Sequence, residues 1–132
     1  MKEKEKSIED MILVLTKVSD EFKKLHQEAK LALGKGNRGI SCEKLSQKAG
    51  LLVELSSSLP SRVNGIEDRE WYEVLDRVRL FARQAKEAYA SGETFALGSL
   101  LMHPGDLNIE HNDLQKLVDE FKNEHVTSLP SK

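Results

Sequence analysis

Residues 34 to 39, Gly34-Lys-Gly-Asn-Arg-Gly39, match the pattern G-x-G-x-x-G. In dinucleotide-binding folds that pattern follows a strand and opens a helix, so that backbone amides reach a pyrophosphate. Here it follows a stretch of helical periodicity, and no strand pattern precedes it. We read it as a helix end and connector, with no cofactor expected. The histidines His26, His103, His111 and His125 form neither an H-E-x-x-H pair nor a tight Cys/His cluster. His103 and His111 could meet across the Pro104 turn, but two ligands fall short of a structural zinc site's tetrahedral set. No metal is expected, and the histidines read as surface or loop-capping residues.

The single cysteine, Cys42, stands at the start of the second helix, where the helix dipole would favour a thiolate. No histidine lies close in sequence to serve as its base, and free cysteine is among the most buried residue types, so we expect burial. The run of serines at 56 to 58 reads as a fraying helix end. No catalytic constellation is legible.

Trp71 falls on an apolar seam and reads as core. Tyr72 does not. It shares a stripe with Asp76, Arg79 and Arg83 at i, i+4, i+7 and i+11, and Lys86 continues it. Tyr and Arg are enriched at interface hot spots, so Tyr72, Arg79, Arg83 and Lys86 form the predicted partner-binding face. The bland alternative is a solvated helix face.

Five helical segments would position these residues. In the first, Ile8, Met11, Leu15, Val18, Phe22, Leu25, Ala29 and Ala32 alternate spacings of three and four, a heptad seam. Ser7 suits the N-cap, with Asp10 three residues on, and Gly34 suits the end. A second helix is predicted over 41 to 58, with Leu45, Ala49, Leu52, Leu55 and Leu59 on its apolar face, stopped by Pro60. The third begins near Glu67 or Asp68 and carries Trp71, Val74, Val78, Phe81, Ala85 and Ala88. Its acidic residues lead and its basic ones follow, which complements the helix dipole. A short fourth helix is expected over 94 to 102 with Thr94 as N-cap, then a turn at Pro104-Gly105. The fifth covers about 112 to 124, with Leu114, Leu117, Val118 and Phe121 inward and Asn112 and Gln115 spaced as a variant capping box. Residues 66 to 78 align with 109 to 121 at one constant offset, which suggests a weak repeat of helix, Pro-containing loop and helix.

Composition sets the class. A chain of 132 residues fits one domain; we expect residues 1 to 125 to form it and 126 to 132 to be a flexible tail. Charged residues make up 32% yet leave a net charge of −2, which disfavours nucleic acid and a membrane-surface peptide. A lone cysteine leaves no internal disulfide to form, and no apolar run approaches a membrane span, so an intracellular protein, cytoplasmic or nuclear, with no membrane contact is expected.

Three stretches carry a resemblance: Leu51-Leu-Val-Glu-Leu-Ser-Ser-Ser-Leu-Pro60, Trp71-Tyr-Glu-Val-Leu-Asp-Arg-Val-Arg-Leu-Phe81 and Leu100-Leu-Met-His-Pro-Gly-Asp-Leu107. Residues 45 to 121 resemble the helical repeat region beyond the catalytic domain of the JmjC/ARID histone lysine demethylases. His103-Pro104 departs from that family's Leu-Pro, and the iron ligands of its catalytic domain are absent. The resemblance implies a non-catalytic, chromatin-associated scaffold. The three heptad seams resemble spectrin-type three-helix repeats equally well.

The expected fold is therefore all-α: an antiparallel bundle of three long heptad-patterned helices, with two shorter C-terminal helices packed at one end. The expected function is a non-catalytic protein-interaction or scaffold module, binding another protein or, through the first helix as a coiled coil, a second copy. The alternatives are a small helical ligand binder or enzyme, and a weak nucleic-acid binder using Lys35, Arg38, Arg79, Arg83 and Lys86. The ligand binder would need a buried polar cluster, and the seams carry no Asp, Glu or His.

Overall fold

A computed structural model of the chain describes residues 6–102 and 108–126. Its first helix, α1 (Ile8–Gly34), starts where Ser7 and Asp10 cap each other. Ser7 Oγ accepts from the Asp10 amide at 3.1 Å, and Asp10 Oδ2 accepts from the Ser7 amide at 3.2 Å. Such a box satisfies two amide donors that the first turn leaves unpaired. The chain reverses through Gly36, whose φ of 79° is strained for residues bearing a Cβ. α2 (Arg38–Ser58) then runs back along α1, capped by Asn37 accepting from the Ile40 amide at 3.1 Å.

α3 (Asp68–Ser91) ends at Gly92 in the left-handed conformation, and α4 (Thr94–Gly98) is a single short turn. After a 3₁₀ turn at Ile109–His111, α5 (Asp113–Val126) closes the described chain. Asn112 organises that entry while fully buried. Its Nδ2 donates to Ile109 O, and its Oδ1 accepts from the Gln115 amide at 2.9 Å. Two short parallel strands, β1 (Lys6–Ser7) and β2 (Val63–Asn64), join the start of α1 to the loop after α2.

The result is an all-α bundle. α2 packs between α1 and α3. α5 runs antiparallel to α1, since Ser19 meets Gln115 while Lys23 meets Glu110. It also touches α3 through Trp71–Phe121 and Arg77–Glu120. α4 packs against α2 and α3. The core therefore sits among four helices, with Met11, Leu15, Phe22, Leu52, Trp71, Val78, Leu114, Leu117 and Phe121 nearly or fully covered. Trp71 also donates its indole N–H to Pro60 O at 2.8 Å, tying α3 to the loop before it.

Several expectations need correction. α5 is not packed at one end with α4 but forms a fourth wall, because its stripe of Leu114, Leu117, Val118 and Phe121 needs a long apolar face to cover it. α2 starts three residues earlier than predicted, at the Asn37 cap. α4 stops at Gly98, short of residue 102, with Glu93 rather than Thr94 at its cap. At 5 residues against 21 for α2, it does not reproduce the first helix of the suggested repeat. In α1 the buried position is Ser19 rather than Val18, and in α3 it is Leu75 rather than Val74. The short strands fall where only loop was expected. Cys42 is exposed, because it points away from the line Ser41, Leu45, Lys48 and Leu52 that α2 buries. His26 and His125 are buried, the latter against Phe121 at 4.6 Å between ring centroids, while His111 is exposed. His103, the Pro104-Gly105 turn and residues 127–132 lie outside the described residues.

Candidate functional site: an outer groove and a buried lysine

The four predicted partner-binding residues share one side of α3. Tyr72, Arg79, Arg83 and Lys86 are all exposed, and Tyr72 shows half its surface to solvent at 51%. Arg79 donates to Asp76 one turn earlier at 3.3 Å, a surface pair that holds the guanidinium against its own helix. Steps of seven residues carry the line from Tyr72 through Arg79 to Lys86, a rise of about 10 Å per step. At Lys86 the line reaches α2.

There α2 and α3 leave an apolar groove of about 490 Å³, lined by Ser46, Ala49, Gly50, Val53, Ala85 and Tyr89 with Lys86 and Glu54 at its edges. Ser46, Ala49, Gly50 and Ala85 are its small residues, and Tyr89 is its large one. Gly50 is the telling one. It lies inside α2, is exposed, and is not among the glycines of positive φ. A Cβ placed on it would meet nothing within 4 Å. A glycine inside a helix costs roughly 0.5–1 kcal/mol relative to alanine. Neither backbone conformation nor crowding among the described residues accounts for it.

The second feature lies on the opposite side of α2. Lys48 is 0% exposed. Its Nζ lies 3.1 Å from His26 Nδ1 and donates to Gly98 O at 3.3 Å, and the ammonium sits 5.1 Å from the centroid of Phe22. Among the described residues it has no carboxylate partner. Burial without a counter-charge pushes its pKa down from 10.5 to about 7. His26 moves down from 6.5 to about 4, first through burial, then through the nearby charges of Lys48 and Lys30. Donation by Lys48 requires His26 to carry its proton on Nε2. An amine of this kind has nucleophilic character near neutral pH. It is fully covered in this structure, and its two contacts join α2 to α1 and to the end of α4.

Sequence reasoning missed Lys48, His26 and Gly50. The signal for Lys48 was present: Leu45, Lys48, Leu52 and Leu55 fall at spacings of three, four and three, so a charge stands on a core line. His26 likewise sits one turn after Phe22. The cations named for nucleic acid are divided, with Lys35 and Arg38 at the α1–α2 turn and the other three along α3. No group of His, Cys, Asp and Glu among the described residues could hold a metal ion, and no described helix is long and apolar enough to cross a membrane.

Fold and site together define an all-α bundle with an open groove beside a basic helix edge. Compared with known proteins, the chain matches no family model, no curated protein and no solved structure.

Proposed function

We propose that this chain is a non-catalytic, intracellular protein-interaction module. Its binding surface is the outer line of α3 (Tyr72, Arg79, Arg83 and Lys86) together with the adjoining α2/α3 groove. The observation that carries this reading is the open apolar groove against which that line ends. A polar and basic edge beside an apolar trough is the layout of a surface where one element of a partner is seated and then oriented by charge. The resemblance to the demethylase helical region would make such a module a chromatin scaffold.

The ligand-binding alternative rests on Lys48 and His26, a buried polar pair. Both are committed to contacts within the fold, which favours the interaction reading. A homodimer through α1 is not part of the proposal, because the seam from Ile8 to Ala29 is spent inside the bundle.

The test is in-cell photo-cross-linking with p-benzoylphenylalanine in place of Tyr89, and in place of Leu13 as a control on α1. A discrete protein adduct from position 89, absent at position 13 and lost with Arg79→Glu/Arg83→Glu, is the expected result. Equal adducts from both positions, or none from position 89, would overturn the reading.

A further inference from the structure

We propose that the α2/α3 groove seats a single amphipathic helix of a partner protein, with a small residue of that helix against Gly50 and an acidic edge along Arg79, Arg83 and Lys86. This rests on the interaction reading above and specifies the partner at that same site.

The groove's shape points to a helix. On the α2 side its lining runs from Ser46 to Glu54. Eight residue steps at the helical rise span about 12 Å, a little over two turns, which matches the two or three turns by which a docked helix usually anchors. The trough lies between two helices, so a third laid along it would complete a three-helix packing unit at interaxial distances of about 8–10 Å. Distances at the short end of that range need small residues at the crossing. Ala49, Gly50 and Ala85 supply them, and Gly50 has open space where its side chain would be. The helix-weakening glycine is accounted for if a foreign backbone comes close at that point.

The charges define the occupant's edges. On the α3 side Lys86 lines the groove, and Arg79 and Arg83 precede it on the exposed face. Of the three, only Arg79 has a carboxylate partner among the described residues, the exposed Asp76. The polar residues that α2 contributes to the groove are Ser46 and the exposed Glu54, and neither is a cation. An incoming helix would therefore carry acidic residues on the edge facing α3 and neutral or basic residues on the other. Aligned this way it has one favoured direction of approach, and its affinity falls as salt screens the three cations.

The experiment uses two synthetic 18-residue amphipathic helices that share an Ala/Leu seam and a neutral second edge. One has Glu along the first edge and the other Lys at the same positions. Binding to the full chain is measured by fluorescence anisotropy at low and high salt, and the site by amide chemical-shift changes. The expected result is binding of the acidic peptide, with shifts centred on residues 46 to 54 and 85 to 89. Gly50→Leu, whose Cβ would meet nothing within 4 Å, should weaken that binding by at least ~10-fold while circular dichroism and melting temperature hold. Arg79→Glu/Arg83→Glu/Lys86→Glu should transfer the preference to the basic peptide. Equal binding of both peptides, or binding indifferent to Gly50→Leu, overturns the proposal. So does a concentration-dependent dimer abolished by Gly50→Leu, which would give the groove to a second copy. If neither peptide binds while Tyr89 still cross-links a protein in cells, the helix proposal fails and the interaction reading stands.

Discussion

The Nζ of Lys48 and the Nδ1 of His26 lie 3.1 Å apart where α1, α2 and the end of α4 meet, two basic groups sharing one hydrogen bond in the covered interior. Both are held below their ordinary pKa values, so in each case the folded state binds its proton less readily than the unfolded chain does. For Lys48 the unfolded chain carries the extra proton between about pH 7 and 10.5. Unfolding free energy therefore rises with pH across that window, and below it the full penalty of the buried charge is present. Lys48→Met, which keeps length and removes the charge, should raise stability at pH 7 by ~1–4 kcal/mol. Its advantage should shrink as pH approaches 10. Urea unfolding of both proteins across this range checks the sign. An advantage that grows with pH would show that the lysine is not penalised by burial.

His26 gives the complementary case. Its folded pKa of about 4 lies below the ordinary 6.5, so stability is lost as pH falls through that interval. His26→Leu removes this acid limb but leaves Lys48 with Gly98 O as its remaining acceptor. At pH 7 we expect a loss of ~1–3 kcal/mol, the cost of an unsatisfied buried polar group. Lys48→Met should add more stability in the His26→Leu background than it adds to the unsubstituted chain, because it also removes the donor left without its partner. Simple additivity of the two substitutions would mean that the 3.1 Å contact carries no coupling.

Trp71 is the only tryptophan in the chain, is fully buried, and donates to Pro60 O at 2.8 Å. Native emission should be blue-shifted and resistant to acrylamide, with a red shift on unfolding. Trp71→Phe should destabilise by ~1–3 kcal/mol, because it removes the indole donor from the half-buried Pro60 carbonyl and shortens the contact with Phe121. Thermal melts followed by circular dichroism provide the measurement.

Gly50→Ala should stabilise the isolated protein by about 0.5–1 kcal/mol, because the helix gains propensity and the added Cβ meets nothing. The change in melting temperature reports it. A destabilised variant would mean that the glycine serves the fold itself, and the docking argument would lose its main support.

Periodicity carried most of the architecture. The seams of α1 and α3 could be read because heptad spacing directly records a face that must be covered, and the Ser7 cap because its hydroxyl supplies an acceptor that the first turn lacks; α1 does end at Gly34, but the glycine in the left-handed conformation is Gly36. The position of α5 could not. Its apolar stripe shows that it packs, and only the lengths and angles of its neighbours decide where. Ser19 for Val18 and Leu75 for Val74 are similar cases, since two adjacent positions of a seam compete and the partner helix chooses. Lys48 escaped because charge is ordinarily a surface mark, and its burial depends on His26 and Gly98, 22 and 50 residues away. The Tyr72–Lys86 line was legible as an exposed stripe, but the groove beside it is a property of two helices and of no one segment.

The pairing of Lys6–Ser7 with Val63–Asn64 makes the α1–α2 hairpin a closed ring, linked by peptide bonds around its length and by a two-residue ladder at its mouth. α3 leaves that ring beside the point of closure. A load applied between Lys6 and α3 would act directly on the ladder's hydrogen bonds. In mechanical terms the ladder is a small fuse placed ahead of the bundle.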